Sequence, residues 1–198
     1  MVYKFILIGD SGVGKTSFLT KLLNPDSTLQ KDCMTIGVDF RSYETAVQGH
    51  DVKIHIWDTA GQESFNAIIR SYYRDAIGAL VFFDLTDPNT LHNAHKWIKD
   101  FRDHKGDDMR IILVGTKADQ PAVVRGNQIE DFINTYDDLD IQYINTSATE
   151  GHNINRALQI LIESVYQAWP LKKHSVYPKG IRLTVDHTKR KVICCPTM

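Results

Sequence analysis

Eight consecutive residues, Gly9-Asp10-Ser11-Gly12-Val13-Gly14-Lys15-Thr16, fit the pattern G-x-x-x-x-G-K-[ST]. Such a loop cradles phosphates. Its glycines let the backbone wrap closely round an anion and take positive φ angles. The amides of Ser11, Gly12, Val13, Gly14, Lys15, Thr16 and Ser17 can then converge on phosphate oxygens, helped by the partial positive charge of a helix N-terminus. The Lys15 ammonium can reach β- and γ-phosphates, and the Thr16 hydroxyl can ligate Mg²⁺. By itself the loop specifies a nucleoside triphosphate and leaves ATP and GTP open. A second segment, Trp57-Asp58-Thr59-Ala60-Gly61-Gln62-Glu63, supplies complementary chemistry. Asp58 ends a strand beside the loop and can hold Mg²⁺ through water. Gly61 permits its amide to face a terminal phosphate. Gln62 can orient an attacking water without needing a shifted pKa.

These groups need a scaffold, and the apolar pattern describes one. Strands are predicted over Val2–Ile8, Val38–Val47, Val52–Trp57, Ala79–Leu85, Arg110–Gly115 and Ile141–Asn145. Gln48-Gly49-His50-Asp51 reads as the turn of a hairpin between the second and third. Helical spacing covers Lys15–Leu23, Leu91–His104, Val124–Tyr136 and Ile154–Trp169; the last has a wide apolar stripe through Ala157, Leu158, Leu161, Ile162 and Val165. Alternating strands and helices imply an α/β fold, a mostly parallel six-stranded sheet with helices on both faces. The hairpin adds one antiparallel edge strand. Ligands of such sheets sit outside the carboxyl ends of the strands. His92 and His95, three apart on a helix, read as a solvated face rather than a metal pair.

Composition narrows the class. A chain of 198 residues with 42% hydrophobic and 24% charged residues is neither low-complexity nor disordered as a whole. A net charge of −1 does not suggest a wholesale nucleic-acid binder, and the expectation is no nucleic-acid partner. Three cysteines, Cys33, Cys194 and Cys195, make no disulfide framework and fit a reducing compartment. The first apolar run is too short to span a bilayer and lacks the features of a secretory signal, so it reads as a buried strand. Residues 170–198 carry seven basic residues against Asp186 alone, whereas residues 1–169 are net acidic. Pro170 ends the preceding helical pattern. The expected organisation is one domain over 1–169 followed by a flexible basic tail over 170–198.

Longer strings carry a resemblance. Thr35-Ile36-Gly37-Val38-Asp39-Phe40, Lys53 through Glu63, Arg70-Ser71-Tyr72-Tyr73-Arg74-Asp75-Ala76, and Gly78 through Thr86 resemble the Rab family of Ras-superfamily small GTPases. The resemblance runs almost continuously over 1–169 and includes the terminal cysteines. It implies a P-loop small G-domain that binds GTP or GDP with Mg²⁺ and hydrolyses GTP slowly. Thr35 would then ligate Mg²⁺ beside Thr16 and Asp58, and its amide would touch the γ-phosphate. Lys15, Thr35 and Gln62 would be the catalytic set. Loss of the γ-phosphate would release switch I (about 28–40) and switch II (about 60–75). Ile36, Phe40, Trp57 and Tyr72 would form an effector surface. No arginine of the chain is evidently placed against transition-state charge, so a partner would supply one.

Base choice falls to two further loops. In Ile111-Ile112-Leu113-Val114-Gly115-Thr116-Lys117-Ala118-Asp119 the acid follows a strand. A carboxylate there can accept from N1 and the exocyclic amine of guanine, a donor pair that adenine lacks. The Lys117 stem can cover the base, and in Thr146-Ser147-Ala148-Thr149 the Ala148 amide can meet guanine O6. The guanine set is thus Thr116, Lys117, Asp119, Ser147, Ala148 and Thr149. It departs from the family's N-K-x-D and S-A-K at Thr116 and Thr149. Thr28 stands where relatives often place an aromatic, and Asp75 where they usually have glycine. Cys194-Cys195-Pro196-Thr197-Met198 resembles a Rab prenylation terminus, with Lys189-Arg190-Lys191 upstream for an anionic leaflet. The implied partners are effectors, a GTPase-activating protein, an exchange factor and prenylation-escort or GDI-type proteins. The implied place is the cytosolic face of an intracellular membrane, in exchange with the cytosol. Two alternatives use the same loop: a guanine-nucleotide module with little turnover, and another P-loop NTPase such as a kinase. A kinase would need an acceptor site and a lid, and the sequence shows neither.

Each departure in the base site removes a contact worth on the order of 1 kcal/mol. GDP is therefore expected to dissociate faster than from a typical Rab. Stopped-flow release of a fluorescent GDP analogue checks this, and an ordinary Rab rate would count against it.

Overall fold

The computed structural model describes residues 2–29, 35, 37–61, 66–106 and 108–169, with only the backbone described over 66–69. The strands are β1 (Val2–Gly9), β2 (Val38–Val47), β3 (His50–Thr59), β4 (Gly78–Asp84), β5 (Arg110–Thr116) and β6 (Gln142–Asn145). The helices are α1 (Lys15–Leu23), α2 (Asn66–Tyr73), α3 (Pro88–Lys105), α4 (Gly126–Asn134) and α5 (Ile154–Ala168). One sheet runs β2-β3-β1-β4-β5-β6, and only the β2–β3 pair is antiparallel. The expected α/β architecture is therefore present.

The pleat of β1 divides the core. Tyr3, Phe5 and Leu7 face α1 and α5, packing with Phe18, Leu22, Leu158, Leu161 and Val165. Ile6 and Ile8 face the other way, onto Ala94, Trp97, Ile98 and Phe101 of α3. All of these are essentially buried, as alternation on a two-sided sheet requires. Because β1 lies between β3 and β4, both neighbours running parallel to it, the ends of β1, β3 and β4 share one sheet edge with those of β5 and β6. The antiparallel β2 begins at that same edge, where Val38 pairs with Thr59. The segments that carry chemistry are thereby gathered together.

The structure corrects the sequence reading in four places. The hairpin turn is Gln48-Gly49 alone, with φ of 47° and 80°; His50 and Asp51 already pair with Val47 and Ala46. Two positive φ angles match the strand twist better than a longer loop. Helix α3 starts three residues early, because the Asp87 carboxylate accepts from the Asn89 amide at 3.0 Å and Pro88 opens the first turn. Helix α2 was not anticipated as a helix. His95 is not on a solvated face: its ring stacks on Phe132 with centroids 4.1 Å apart, and Nδ1 lies 2.8 Å from the Tyr136 hydroxyl. Burial, then His92, lowers the pKa of that imidazole.

Asp75 adopts φ 61°, in the left-handed region, just after α2. An L side chain there costs about 1–2 kcal/mol, partly offset for aspartate by its short polar group. Its contact with Arg74 is long, 3.9 Å, and exposed, so it contributes little. Asp75→Gly is expected to stabilise the fold by roughly 0.5–1 kcal/mol after the entropy of glycine is counted. Urea unfolding of GDP-loaded protein measures this; an unchanged or lower midpoint would mean the strain is relieved locally.

Candidate functional site

The phosphate loop begins where β1 crowds β4. A Cβ on Gly9, whose φ is 144°, would lie 2.4 Å from the Phe82 carbonyl oxygen. Gly12 and Gly14 take φ of 77° and 98°, and Gly14 caps α1 without a side-chain hydrogen bond. The first amides of α1 are thus left to face an anion. Lys15 is only 5% exposed. Its Nζ donates to the carbonyls of Gly9 at 2.8 Å and Asp10 at 2.7 Å. Burial pushes the ammonium down to about 8, against the opposing pull of Asp58 and Asp10.

Three oxygens from distant segments meet at the start of α1. The Thr16 hydroxyl donates to Asp58 Oδ2 at 2.6 Å. Its single proton being used, it accepts from the Thr35 hydroxyl at 2.5 Å. Asp58 is fully buried, yet its Oδ1 has no hydrogen-bond partner among the described residues. Two hydroxyls and a carboxylate whose second oxygen is orphaned are the hard donor set that Mg²⁺ and its waters take. The residues therefore fit the metal. Burial raises the Asp58 pKa, while Thr16 and Lys15 draw it down. The chain leaving β3 is fixed alongside: the Thr59 hydroxyl donates to the Leu7 carbonyl at 2.7 Å, and the Ala60 amide to Gly37 at 2.9 Å. Gly61 lies so close to the loop that a Cβ would sit 2.3 Å from Asp10 C and Ser11 N.

The base-side residues form a second constellation. The Ser147 hydroxyl donates to Asp119 Oδ1 at 2.6 Å and accepts from the Glu150 amide at 3.1 Å. Ser147 is buried and Asp119 exposed, so a buried hydroxyl aims an open carboxylate. The Ala118 amide bonds the Thr146 carbonyl at 3.1 Å, joining the two loops. Lys117 has φ 58° and its ammonium lies 2.5 Å from Asp84 Oδ2. Oδ1 of Asp84 accepts from the amide and hydroxyl of Thr86 at 2.9 and 2.7 Å. Thr116 is buried, and its hydroxyl is shared between the carbonyls of Val13, at 2.6 Å, and Phe83, at 2.9 Å. The structure therefore gives Thr116 a loop-tethering geometry. Thr28 and Thr149 are exposed.

The Ras family sequence profile matches residues 4–167. The chain belongs to the Ras family. Among Rab relatives, Ras-related protein RABA2a of Arabidopsis thaliana is 40% identical over 166 residues, covering 84% of this chain and 76% of its own. Ras-related protein Rab11A of Nicotiana tabacum is 38% identical over 165 residues, covering 83% and 76%. Ras-related protein RABA2c of Arabidopsis thaliana is 34% identical over 206 residues, covering 98% and 94%. The protein is a Rab-like small GTPase of the Ras superfamily, and its family binds guanine nucleotides.

On this Rab-like GTPase, Phe40 of β2, Trp57 of β3 and Tyr72 of α2 form one continuous aromatic patch. Phe40 and Trp57 have centroids 5.0 Å apart, Trp57 and Tyr72 4.9 Å, and Phe40 is 44% exposed. Lys4 Nζ lies 5.1 Å from the Trp57 ring centroid. Of the anticipated residues, Ile36, Gln62, Cys194 and Cys195 lie outside the described residues, as do Cys33 and 170–198. Sequence reasoning missed Asp84. Its one local signal is a carboxylate ending an apolar run; its pairing with Thr116 appears only in the register of the sheet.

Gly61→Ala would force a methyl group into the Asp10–Ser11 peptide, so Gly61 must move off the loop. GTP hydrolysis is expected to fall at least about tenfold, with the urea midpoint nearly unchanged because Gly61 lies outside the core. Single-turnover hydrolysis of preloaded GTP measures the loss; a parental rate would show that residue 61 need not approach the phosphate loop.

Proposed function

We propose that this Rab-like GTPase works as a magnesium-dependent switch in which the γ-phosphate decides where Thr35 and Gly61 sit. The observation that carries the reading is the meeting of Thr16, Thr35 and Asp58, since Thr35, which the resemblance assigns to switch I, reaches the phosphate loop here. Thr16, Thr35 and Asp58 would hold Mg²⁺, whose charge offsets that of the β- and γ-phosphates. Lys15 and the amides of Ser11–Ser17 bind the phosphates. Thr35 and Gly61 present amides to the γ-phosphate, and Gln62 orients the attacking water. Thr116 tethers the loop, while Lys117, Asp119, Ser147, Ala148 and Thr149 recognise guanine, with Ser147 aiming the Asp119 carboxylate.

The protein regulates vesicle traffic as a Rab-like GTPase. In the GTP state, effectors read Ile36, Phe40, Trp57 and Tyr72. An activating protein supplies positive charge for hydrolysis, worth a thousandfold or more on the order of magnitude seen in this reaction class. An exchange factor reopens the site. Residues 1–169 act as the G-domain, and 170–198 as a tether carrying prenyl groups on Cys194 and Cys195. Escort and GDI-type proteins then move it between the cytosol and the cytosolic face of an intracellular membrane.

Nucleotide released by denaturing freshly purified protein and resolved by ion exchange tests the reading. Stoichiometric GDP or GTP is expected; ATP or ADP would overturn the assignment of Asp119. Asp119→Ala should weaken GDP binding by about a hundredfold or more, because both guanine donors lose their carboxylate acceptor. Calorimetric titration of nucleotide-free protein measures it.

A further inference from the structure

The second residue of the phosphate loop is an acid. A carboxylate among amides gathered for a polyphosphate would repel the ligand if it pointed inward. Asp10 instead turns toward α3. Its Oδ1 accepts from the Trp97 indole Nε1–H at 2.8 Å, and its Oδ2 from the Asn93 amide at 2.7 Å. Asn93 and Trp97 are four apart, hence one turn apart on the same face of α3. Trp97 is anchored in the core with Ala94, Ile98 and Phe101, whereas Asn93 is exposed. Hydrogen bonds to a carboxylate are about twice as strong as neutral ones.

The backbone of Asp10 is engaged on its other side. Its carbonyl accepts from Lys15 Nζ at 2.7 Å, and Gly61 approaches the peptide that follows it. One residue therefore joins α3 through its side chain, the phosphate-binding lysine through its carbonyl, and the start of switch II through its peptide. The far end of α3 is pinned to switch II as well: Asp100 pairs with Arg70 of α2 at 2.9 Å, and Phe101 packs on Tyr73 with centroids 5.2 Å apart.

We propose that Asn93 and Trp97 are positioning residues of the phosphate site, acting through Asp10. They turn its charge away from the phosphates and fix the peptide on which Lys15 and Gly61 both rely. Helix α3 thereby sets how long the nucleotide stays bound. This rests on the guanine-nucleotide reading above.

A double-mutant cycle on the full chain tests the latch by release of a fluorescent GDP analogue. Asn93→Ala, an exposed change that spares the core, is expected to speed release about three- to tenfold. In an Asp10→Ala background the same change should have no further effect, because its acceptor is gone. A parental rate for Asn93→Ala, or an equal acceleration in both backgrounds, overturns the proposal. A second measurement needs no nucleotide. In ¹⁵N spectra the Trp97 indole N–H should shift between the parent and Asp10→Ala, while those of Trp57 and Trp169 hold still. No shift at Trp97 overturns the latch alone, whereas purified protein that carries no guanine nucleotide and binds none overturns the reading beneath it.

Discussion

A buried ammonium at Lys15 sets the terms for the whole nucleotide site. In an apolar surrounding such a charge must be met by oxygens, and the loop supplies two carbonyls at hydrogen-bonding distance. Those carbonyls can turn inward only because Gly9 lies hard against the Phe82 carbonyl and Gly14 takes a left-handed φ. Asp58 adds negative charge from the end of β3, and its own burial is tolerable because Lys15 and Thr16 face it. The Lys15 ammonium is thus already desolvated and held in one place by the loop's own carbonyls.

The positions of the other groups follow from the sheet. The five parallel strands end at one edge, so Gly9, Asp58, Asp84 and Thr116 occupy a single layer although more than a hundred residues separate the first from the last. Thr116 shows how a departure from a family pattern can be absorbed. Its hydroxyl reaches both the Val13 and the Phe83 carbonyls, so the loop stays fastened to β4 and β5 by a shorter side chain.

Most of this order was legible because it lies in contiguous patterns. The phosphate loop, the Asp58 segment and the apolar stripes of α1 and α5 are each written within a few turns of chain. Helix α2 was not, being only eight residues long and following a segment that reads as a switch. The hairpin was placed correctly but its turn was drawn twice too long, since His50 and Asp51 are polar and still sit in the ladder. Asp84, Asn93 and Trp97 escaped for a different reason. Their meaning lies in partners 33 to 87 residues away, and no local periodicity records such a pairing. His95 was misread for the same cause, its partners Phe132 and Tyr136 belonging to the next helical segment.

The two margins of the sheet differ in how they are finished. At one, β6 pairs over only four residues. At the other, β2 runs for ten residues with no strand beyond it among the described residues, and Arg41 pairs with Asp39 and Glu44 with Lys53 along it. Short length at one margin and alternating charge at the other are the devices by which sheets avoid joining edge to edge. The charged margin of β2 thus discourages pairing with the sheet of another copy, and the aromatic patch that begins at Phe40 of that strand continues through Trp57 to Tyr72.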